Sequence, residues 1–335
     1  MPESAVKELV EDYIIKHAKA VKRSWKEDER ILQKEIVSRW GKVKAASIVR
    51  KDIIRLVDEI TLRSPSSAAQ TLKITRKMFN WAFDKEIIPI SPCMKVKATK
   101  DNERERKLSE KEIVTVWNKL DVMPLTGEMR RALKLILVTA QRPGEIIGMH
   151  TREIDGRNWI IPGERTKNKR THLVYLTDTA LELIGPLEVF DEKTKEMKPK
   201  GYIFPCPHKA KDKAIAEHAL PAAVRRCLLW PLKDKKGKSL YGADGKPATE
   251  NLLGVEPWTP HDLRRTATTL MAGAKIILEY RERVLNHTMG KLDRIYNLFD
   301  YADEKQIALE TLERKIKSIL TNKVSNVIPI ISKAA

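Results

Sequence analysis

Three short runs carry residue types suited to chemistry on a phosphate: Trp258-Thr259-Pro260-His261-Asp262-Leu263-Arg264-Arg265-Thr266, then Leu285-Asn286-His287, then Arg294-Ile295-Tyr296. Thr259 reads as a helix N-cap, Pro260 as the first helical position and Asp262 as an acid in the first turn. On that helix His261 and Arg264 stand three apart and share one face. The face offers an imidazole and a planar guanidinium fork, a pair able to hold a phosphate. His287 follows on a short turn after an apolar helix, and Tyr296 is a candidate nucleophile toward phosphorus. Alone, a His and an Arg one turn apart describe a surface ion pair equally well, and a tyrosine usually packs. The weight therefore falls on what the rest of the chain supplies.

Two other stretches add to the set. In Thr139-Ala140-Gln141-Arg142-Pro143-Gly144-Glu145, Pro143 suits the first turn of a helix. That leaves Arg142 at a helix N-terminal edge, where anions are favoured, with Glu145 placed to orient a guanidinium or imidazole from behind. Trp159-Ile160-Ile161-Pro162 and His172-Leu173-Val174-Tyr175-Leu176 are short β-rich runs flanking residues 163–171. They predict a hairpin with a basic tip, where a lysine could reach a neighbouring phosphate as a mobile donor, although lysines at hairpin tips are more often simply hydrated.

Composition narrows the partner. The chain has 335 residues, enough for two domains, with 64 Lys and Arg against 45 Asp and Glu, a net charge of +19. That surplus favours a polyanion, and nucleic acid is the usual one. No helix pairs a broad apolar face with a basic one, so an acidic lipid surface fits less well. The three cysteines, Cys93, Cys206 and Cys227, form no CxxC pair and indicate neither a zinc site nor a disulfide framework. With no signal peptide and no apolar run of membrane-spanning length, the expected location is the cytoplasm.

Helices must position these groups. Residues 1 to about 90 predict four short amphipathic helices forming a bundle. The first carries Val6, Leu9, Val10, Tyr13 and Ile14 behind a Ser4 cap, and the second Ile31, Leu32, Ile36 and Val37. The third holds Ile53, Ile54, Leu56, Val57 and Ile60, opened near Ser47; the fourth, after Ser64-Pro65, buries Leu72, Phe79 and Phe83. Two prolines, Pro89 and Pro92, end the bundle, and the charged stretch 95–107 reads as a linker. Order restarts at Ser109 with a capping box to Glu112. Residues 188–200 read as a loop, Tyr202-Ile203-Phe204 as a strand, 214–230 as a helix and 233–255 as an inserted loop or β-ribbon. A last helix carries Ala308, Leu312, Ile316 and Ile319.

Arg142, Lys167, His261, Arg264, His287 and Tyr296 thus follow in one order along one domain. That order, and the words Gln-Arg-Pro-Gly-Glu, Pro-His-Asp-Leu-Arg-Arg-Thr and Leu-Asn-His, resemble the tyrosine recombinase family, in particular the integrases of temperate phages and genomic islands. The resemblance covers nearly the whole chain. It implies a fold that is mainly α with a small antiparallel β-sheet (α+β): a helical core-binding domain over 1–94, a linker over 95–108, and a tyrosine-recombinase catalytic domain over 109–322. The apolar tail within 323–335 would dock in cis or on another subunit.

The function implied is site-specific DNA recombination through a 3′-phosphotyrosyl intermediate, with no metal and no cofactor or ATP. Arg142 and Arg264 would clamp the scissile phosphate, Lys167 would protonate the leaving 5′-hydroxyl, and His261 would help take the tyrosine proton. His287 would donate to the same phosphate, Glu145 would support the arginine, and Tyr296 would attack. Double-stranded DNA gripped by both domains, a homotetramer in the synaptic complex, a host DNA-bending protein and an excision factor are the implied partners. DNA contacts are expected from Lys22, Arg23, Lys42, Lys44, Lys73, Arg76, Lys77, Lys169, Arg170 and Arg265, with affinity that falls steeply with salt.

The chain departs from the pattern at two points. The core-binding helices begin almost at Met1, where relatives often carry an arm-binding domain, and Leu298 stands where relatives often have arginine, leaving Tyr301 as a weak rival nucleophile. A type IB topoisomerase using the same site, or a DNA-binding excision-control protein with a decayed one, remain alternatives at this level.

Overall fold

A computed structural model of the chain describes residues 4–98, 105–192, 194–207, 213–234, 236–242, 244–287 and 301–322. Tyr296 and the tail 323–335 lie outside the described residues. Contacts divide the chain into two compact units, one up to Arg104 and one from Glu105.

The first unit is helical around one apolar core. Helix α1 (Val6–Tyr13) buries Val6, Leu9, Val10 and Tyr13, and the chain continues helical through a wider turn at Ile14–Ala18. Its N-cap is Ala5 rather than Ser4, because the Glu8 carboxylate accepts the Ala5 N–H at 3.1 Å and closes the end one residue later. Helix α2 (Trp25–Ile31) likewise runs on through Leu32–Val37. Helix α3 (Arg50–Arg63) opens at Val49, whose N–H goes to Asp52 at 3.1 Å, whereas Ser47 closes a separate short turn. Helix α4 (Pro65–Asp84) is capped by Ser64 and buries Leu72 and Phe79, but Phe83 is half exposed near its end, beyond the reach of the core.

The stretch read as a linker is tied at both ends. Val96 is buried in the first unit, its carbonyl taken by Arg76. On the other side Leu108 donates its N–H to Thr266 Oγ1 at 2.9 Å.

The second unit is built on α6 (Gly127–Thr139), whose residues 132 to 139 are all buried. Its second half is apolar apart from the closing Thr139 and Lys134, whose ammonium reaches the Asp121 carboxylate at 2.7 Å. It packs against α7 (Pro143–Ile147), α8 (Asp178–Ile184), α9 (Ala219–Leu228), α10 (Pro260–Gly273) and α12 (Ala302–Thr321). Helix α5 (Glu110–Leu120) opens with the Ser109–Glu112 box, the serine N–H reaching Glu112 at 2.9 Å. Between α10 and α12 lies α11 (Leu278–Val284); it exposes Leu278 and buries Val284, so it is less apolar than its neighbours.

One three-stranded antiparallel sheet joins β1 (Ile154–Asp155), β2 (Asn158–Ile161) and β3 (His172–Tyr175), with Trp159 opposite Val174. Trp159 is fully buried, and its Nε1–H goes to Glu153 at 3.0 Å. Residues 188–200 are not a loop: β4 (Glu188–Asp191) and β5 (Glu196–Pro199) form a hairpin pairing Phe190 with Met197. Cross-strand apolar pairing holds the two together despite their charged neighbours. Tyr202 makes only an isolated bridge to His150, and α9 is shorter than its apolar run, because residues 214 to 218 are drawn into bridges and turns. The insertion after α9 is a ribbon, with β6 (Trp230–Pro231) paired to β7 (Thr249–Glu250).

Candidate active site

Helix α11 ends in a turn that collects five side chains from three separate stretches. Asn286 has a left-handed φ of 49°. The His287 N–H returns to the Glu282 carbonyl at 3.1 Å and the Asn286 N–H to Arg283 at 3.2 Å, the paired bonds of a Schellman end. Three successive carbonyls then face inward, at the end of a helix where cations are favoured. Val284 O accepts from Gln141 Nε2 at 2.9 Å and bonds His172 Nε2 at 3.1 Å. Leu285 O accepts from Arg264 Nη2 at 2.5 Å. Asn286 O accepts from Arg142 Nη2 at 3.5 Å and Asn168 Nδ2 at 3.4 Å.

Each arginine has a second anchor. Arg264, on α10, is 3% exposed and gives Nη1 to the Ala140 carbonyl at 2.8 Å. Ala140 can offer that carbonyl because α6 ends there with a left-handed φ of 57°. Arg142 caps α7 and gives Nη1 to Glu145 at 2.9 Å, while Glu145 also accepts the Arg142 N–H at 3.1 Å. Glu145 is buried, so it fixes the guanidinium from behind. At α10 the Asp262 carboxylate takes both the N–H and the hydroxyl of Thr259, at 2.8 and 2.9 Å.

Buried Arg264 lies close enough to Arg142 for the two cations to oppose each other, with Glu145 and Glu282 offsetting part of that repulsion. Burial first, and then Arg142, pull Arg264 down to about 10. His261 is held below the usual imidazole value by burial and then by Arg264 and Arg265. The imidazole is therefore neutral and can accept a proton near neutral pH. Followed by NMR against pH, the His261 imidazole should accordingly titrate below the ordinary histidine value near ~6.5. Arg265→Ala should move that titration upward; an unmoved one would show that another group sets it.

His287 is exposed as well. Its Nδ1 lies 2.7 Å from Glu282 and its Nε2 3.3 Å from Arg264 Nη2. Glu282 thus orients the ring through Nδ1 and leaves the Nε2 edge facing the arginine side of the site. Glu282 lies five residues back, a spacing that never meets along a regular helix; the left-handed Asn286 brings it round.

Lys167 sits in the β2–β3 loop, exposed to solvent. The loop folds on itself: Thr166 Oγ1 lies 2.8 Å from the Arg170 carbonyl, and at Gly163 a Cβ would stand 2.6 Å from the Lys169 carbonyl oxygen. Only glycine permits that approach. Arg165 leaves the same loop to bond the Glu145 carbonyl at 2.6 Å and pair with Glu153, so it braces α7. Gln141, Arg165, Asn168, His172 and Glu282 were not signalled by spacing.

His172 carries a consequence for stability. Burial first, then Lys305, hold it down to about 3 against a usual 6.5. Because the folded value lies below the unfolded one, the unfolded chain binds the extra proton between them and stability falls as pH drops through that window. The expected slope is about 1.4 kcal/mol per pH unit below pH ~6.5. Chemical denaturation at about pH 6.5 and about pH 5 should show it, and His172→Gln should flatten it. Equal slopes would assign the acid sensitivity elsewhere.

Of the expected DNA contacts, Lys22 pairs with Asp28, Arg76 with the Val96 carbonyl, and Arg265 with Asp262 at 2.9 Å. Arg23, Lys42, Lys44, Lys73, Lys77, Lys169 and Arg170 are exposed. Tyr301 donates its hydroxyl to Glu279 at 2.7 Å, under the Arg283 guanidinium. Among the described residues no cluster of His, Cys, Asp or Glu suits a metal, and no helix is long and apolar enough to cross a membrane.

A family model described as the phage integrase family matches residues 106–302. Among solved structures, the chain is similar to a lambda integrase dimer bound to a COC′ core site, with 16% identity and a TM-score of 0.59 over 86% of this chain and 97% of that one. A lambda integrase tetramer bound to a Holliday junction matches with 15% identity and a TM-score of 0.59, over 86% of this chain and 79% of that one. The Tn1549 transposon integrase in complex with circular intermediate DNA matches with 14% identity and a TM-score of 0.57, over 90% of this chain and 98% of that one. No curated protein matches the sequence. At these identities the structural likeness establishes the fold, a helical N-terminal region followed by an integrase catalytic domain.

Proposed function

Because this chain belongs to the phage integrase family, we propose that it is a site-specific DNA recombinase that cuts and rejoins duplex DNA through a 3′-phosphotyrosyl bond. The observation that carries this reading is the convergence of Arg142, Arg264 and His287 on one turn, Leu285 to His287. Two guanidinium groups held from behind by a carboxylate and by carbonyls present their remaining N–H groups as a fixed phosphate clamp.

Tyr296 attacks phosphorus while His261, neutral at working pH, takes the phenol proton. The P–O5′ bond breaks as the O–P bond to the tyrosine forms, and the Lys167 ammonium gives its proton to the departing 5′ oxygen. Charge building on the non-bridging oxygens is met by Arg142, Arg264 and His287, the last backed by Glu282. The phosphotyrosyl ester keeps the energy of the broken diester, so a second 5′-hydroxyl can reverse the step without ATP. Protein cations take the role that a divalent metal plays in other phosphoryl transfers.

In this reading the first unit, over 1–94, is the core-binding domain, 95–108 the linker and 109–322 the catalytic domain, acting in the cytoplasm. The working assembly is a tetramer on two duplexes, with the tail 323–335 docking between subunits and a host DNA-bending protein and excision factor setting direction. Net charge of +19 supplies much of the affinity through phosphates.

The test is capture on nicked duplexes with a randomised core, whose cut end diffuses away and traps the covalent complex. Peptide mapping should find DNA on Tyr296. Failure of any duplex in the pool to form an adduct, at low salt and with intact binding, would sink the proposal.

A further inference from the structure

The β2–β3 loop touches the α11 turn through two amides. Asn168 Nδ2 stands 2.6 Å from Asn286 Oδ1 and 3.4 Å from the Asn286 carbonyl, and Asn168 Oδ1 accepts the Arg170 N–H at 3.1 Å. Asn168 is thus bonded at both ends of its side chain, once within its own loop and once across to the turn. Asn286 needs a left-handed backbone, φ 49°, which glycine adopts with least strain. An asparagine there retains a side chain that the turn itself does not require. Its Nδ2 is buried and makes no hydrogen bond among the described residues, so Oδ1 to Asn168 is the bond that side chain contributes. A buried unsatisfied donor is unfavourable, which points to a return elsewhere.

We infer that the Asn168–Asn286 pair is a clasp that seats the loop bearing Lys167 beside the turn bearing His287, making both asparagines positioning residues for proton delivery to the leaving 5′ oxygen. Lys167 precedes Asn168 directly, and its own side chain is exposed on four carbons of flexible stem. Fixing the next residue to within one hydrogen bond of the His287 turn limits where the ammonium can swing. The inference rests on the assignment of Lys167 as general acid. A misplacement of about 1 Å can lower a rate by as much as ~100-fold, and a general acid contributes on the order of 100-fold or more.

The clasp is tested with Asn286→Gly, which removes the side chain while favouring the backbone conformation and leaving the carbonyl contacts to Arg142 in place. The probe is the nicked duplex that the wild-type chain captures best, made with either oxygen or sulfur as the bridging 5′ atom. A thiolate, with a pKa near ~8.5, leaves without being protonated. Asn286→Gly should cut about 10-fold more slowly on the oxygen substrate and within about 2-fold of wild type on the sulfur one. Asn168→Ala should show the same split, and the double variant little further loss.

Lys167→Ala separates the two ideas. If sulfur rescues Lys167→Ala but neither asparagine variant is slowed on oxygen, the clasp is wrong and the general acid stands. If sulfur fails to rescue Lys167→Ala, the assignment of Lys167 is itself wrong. An asparagine variant slowed equally on both substrates also overturns the clasp, since a general loss of structure does not distinguish leaving groups.

Discussion

Tyr296→Phe is expected to abolish covalent capture of nicked DNA while leaving duplex binding within about 2-fold, since phosphate contacts dominate affinity and one hydroxyl adds little. The reaction needs an oxygen on that ring, and no group nearby in sequence substitutes without a new geometry. Loss of a nucleophile lowers turnover by at least ~10^4-fold in enzymes whose groups act as a unit. The one rival in sequence is Tyr301, and its hydroxyl proton already goes to Glu279 at 2.7 Å. Tyr301→Phe should therefore keep adduct formation within about 3-fold, because the unit that attacks is elsewhere. An adduct that survives Tyr296→Phe and vanishes with Tyr301→Phe would reverse the assignment; both can be read on one denaturing gel.

Arg264→Lys is expected to lower the cleavage rate by about 100- to 1000-fold at unchanged charge, the range seen when one preorganised transition-state donor is lost. Arg264 spans the Ala140 carbonyl at 2.8 Å and the Leu285 carbonyl, and its Nη2 also stands 3.3 Å from His287 Nε2. A lysine carries a point charge and cannot hold three acceptors in one plane. The variant also leaves at least one of those buried carbonyls without a partner, at about 1–3 kcal/mol of stability. Saturating DNA should restore melting temperature by mass action but not rate, which separates the folding effect from the chemical one. A lysine variant cutting within 3-fold of wild type would mean that bulk positive charge, about one unit at this place, is all the site uses from Arg264.

Much of the site was legible where local rules set the geometry. Thr259-Pro260 and Asp262 open α10, and Arg142-Pro143 with Glu145 opens α7, because caps are short-range chemistry. The β2–β3 hairpin showed itself by two runs of β-rich residues. What stayed hidden acts through backbone carbonyls that only the folded chain brings into reach. Gln141 and His172 are 143 and 112 residues from Val284, whose carbonyl they share. Glu282 reaches His287 only because Asn286 turns left-handed. The β4–β5 hairpin was missed for another reason: its charged residues mask a cross-strand Phe190–Met197 pair that alternation alone does not reveal. Phe83 went the other way, an apolar residue at helical spacing left half exposed because α4 ends beside it.

The row of carbonyls closing α11 has a consequence for how such a chain can change over time. Three distant segments lean on one corner of main chain, which no side-chain substitution can replace. A shift of that corner would move the partners of Gln141, Arg142, Asn168, His172 and Arg264 together, so substitutions at any of these five are best read against the others rather than one at a time.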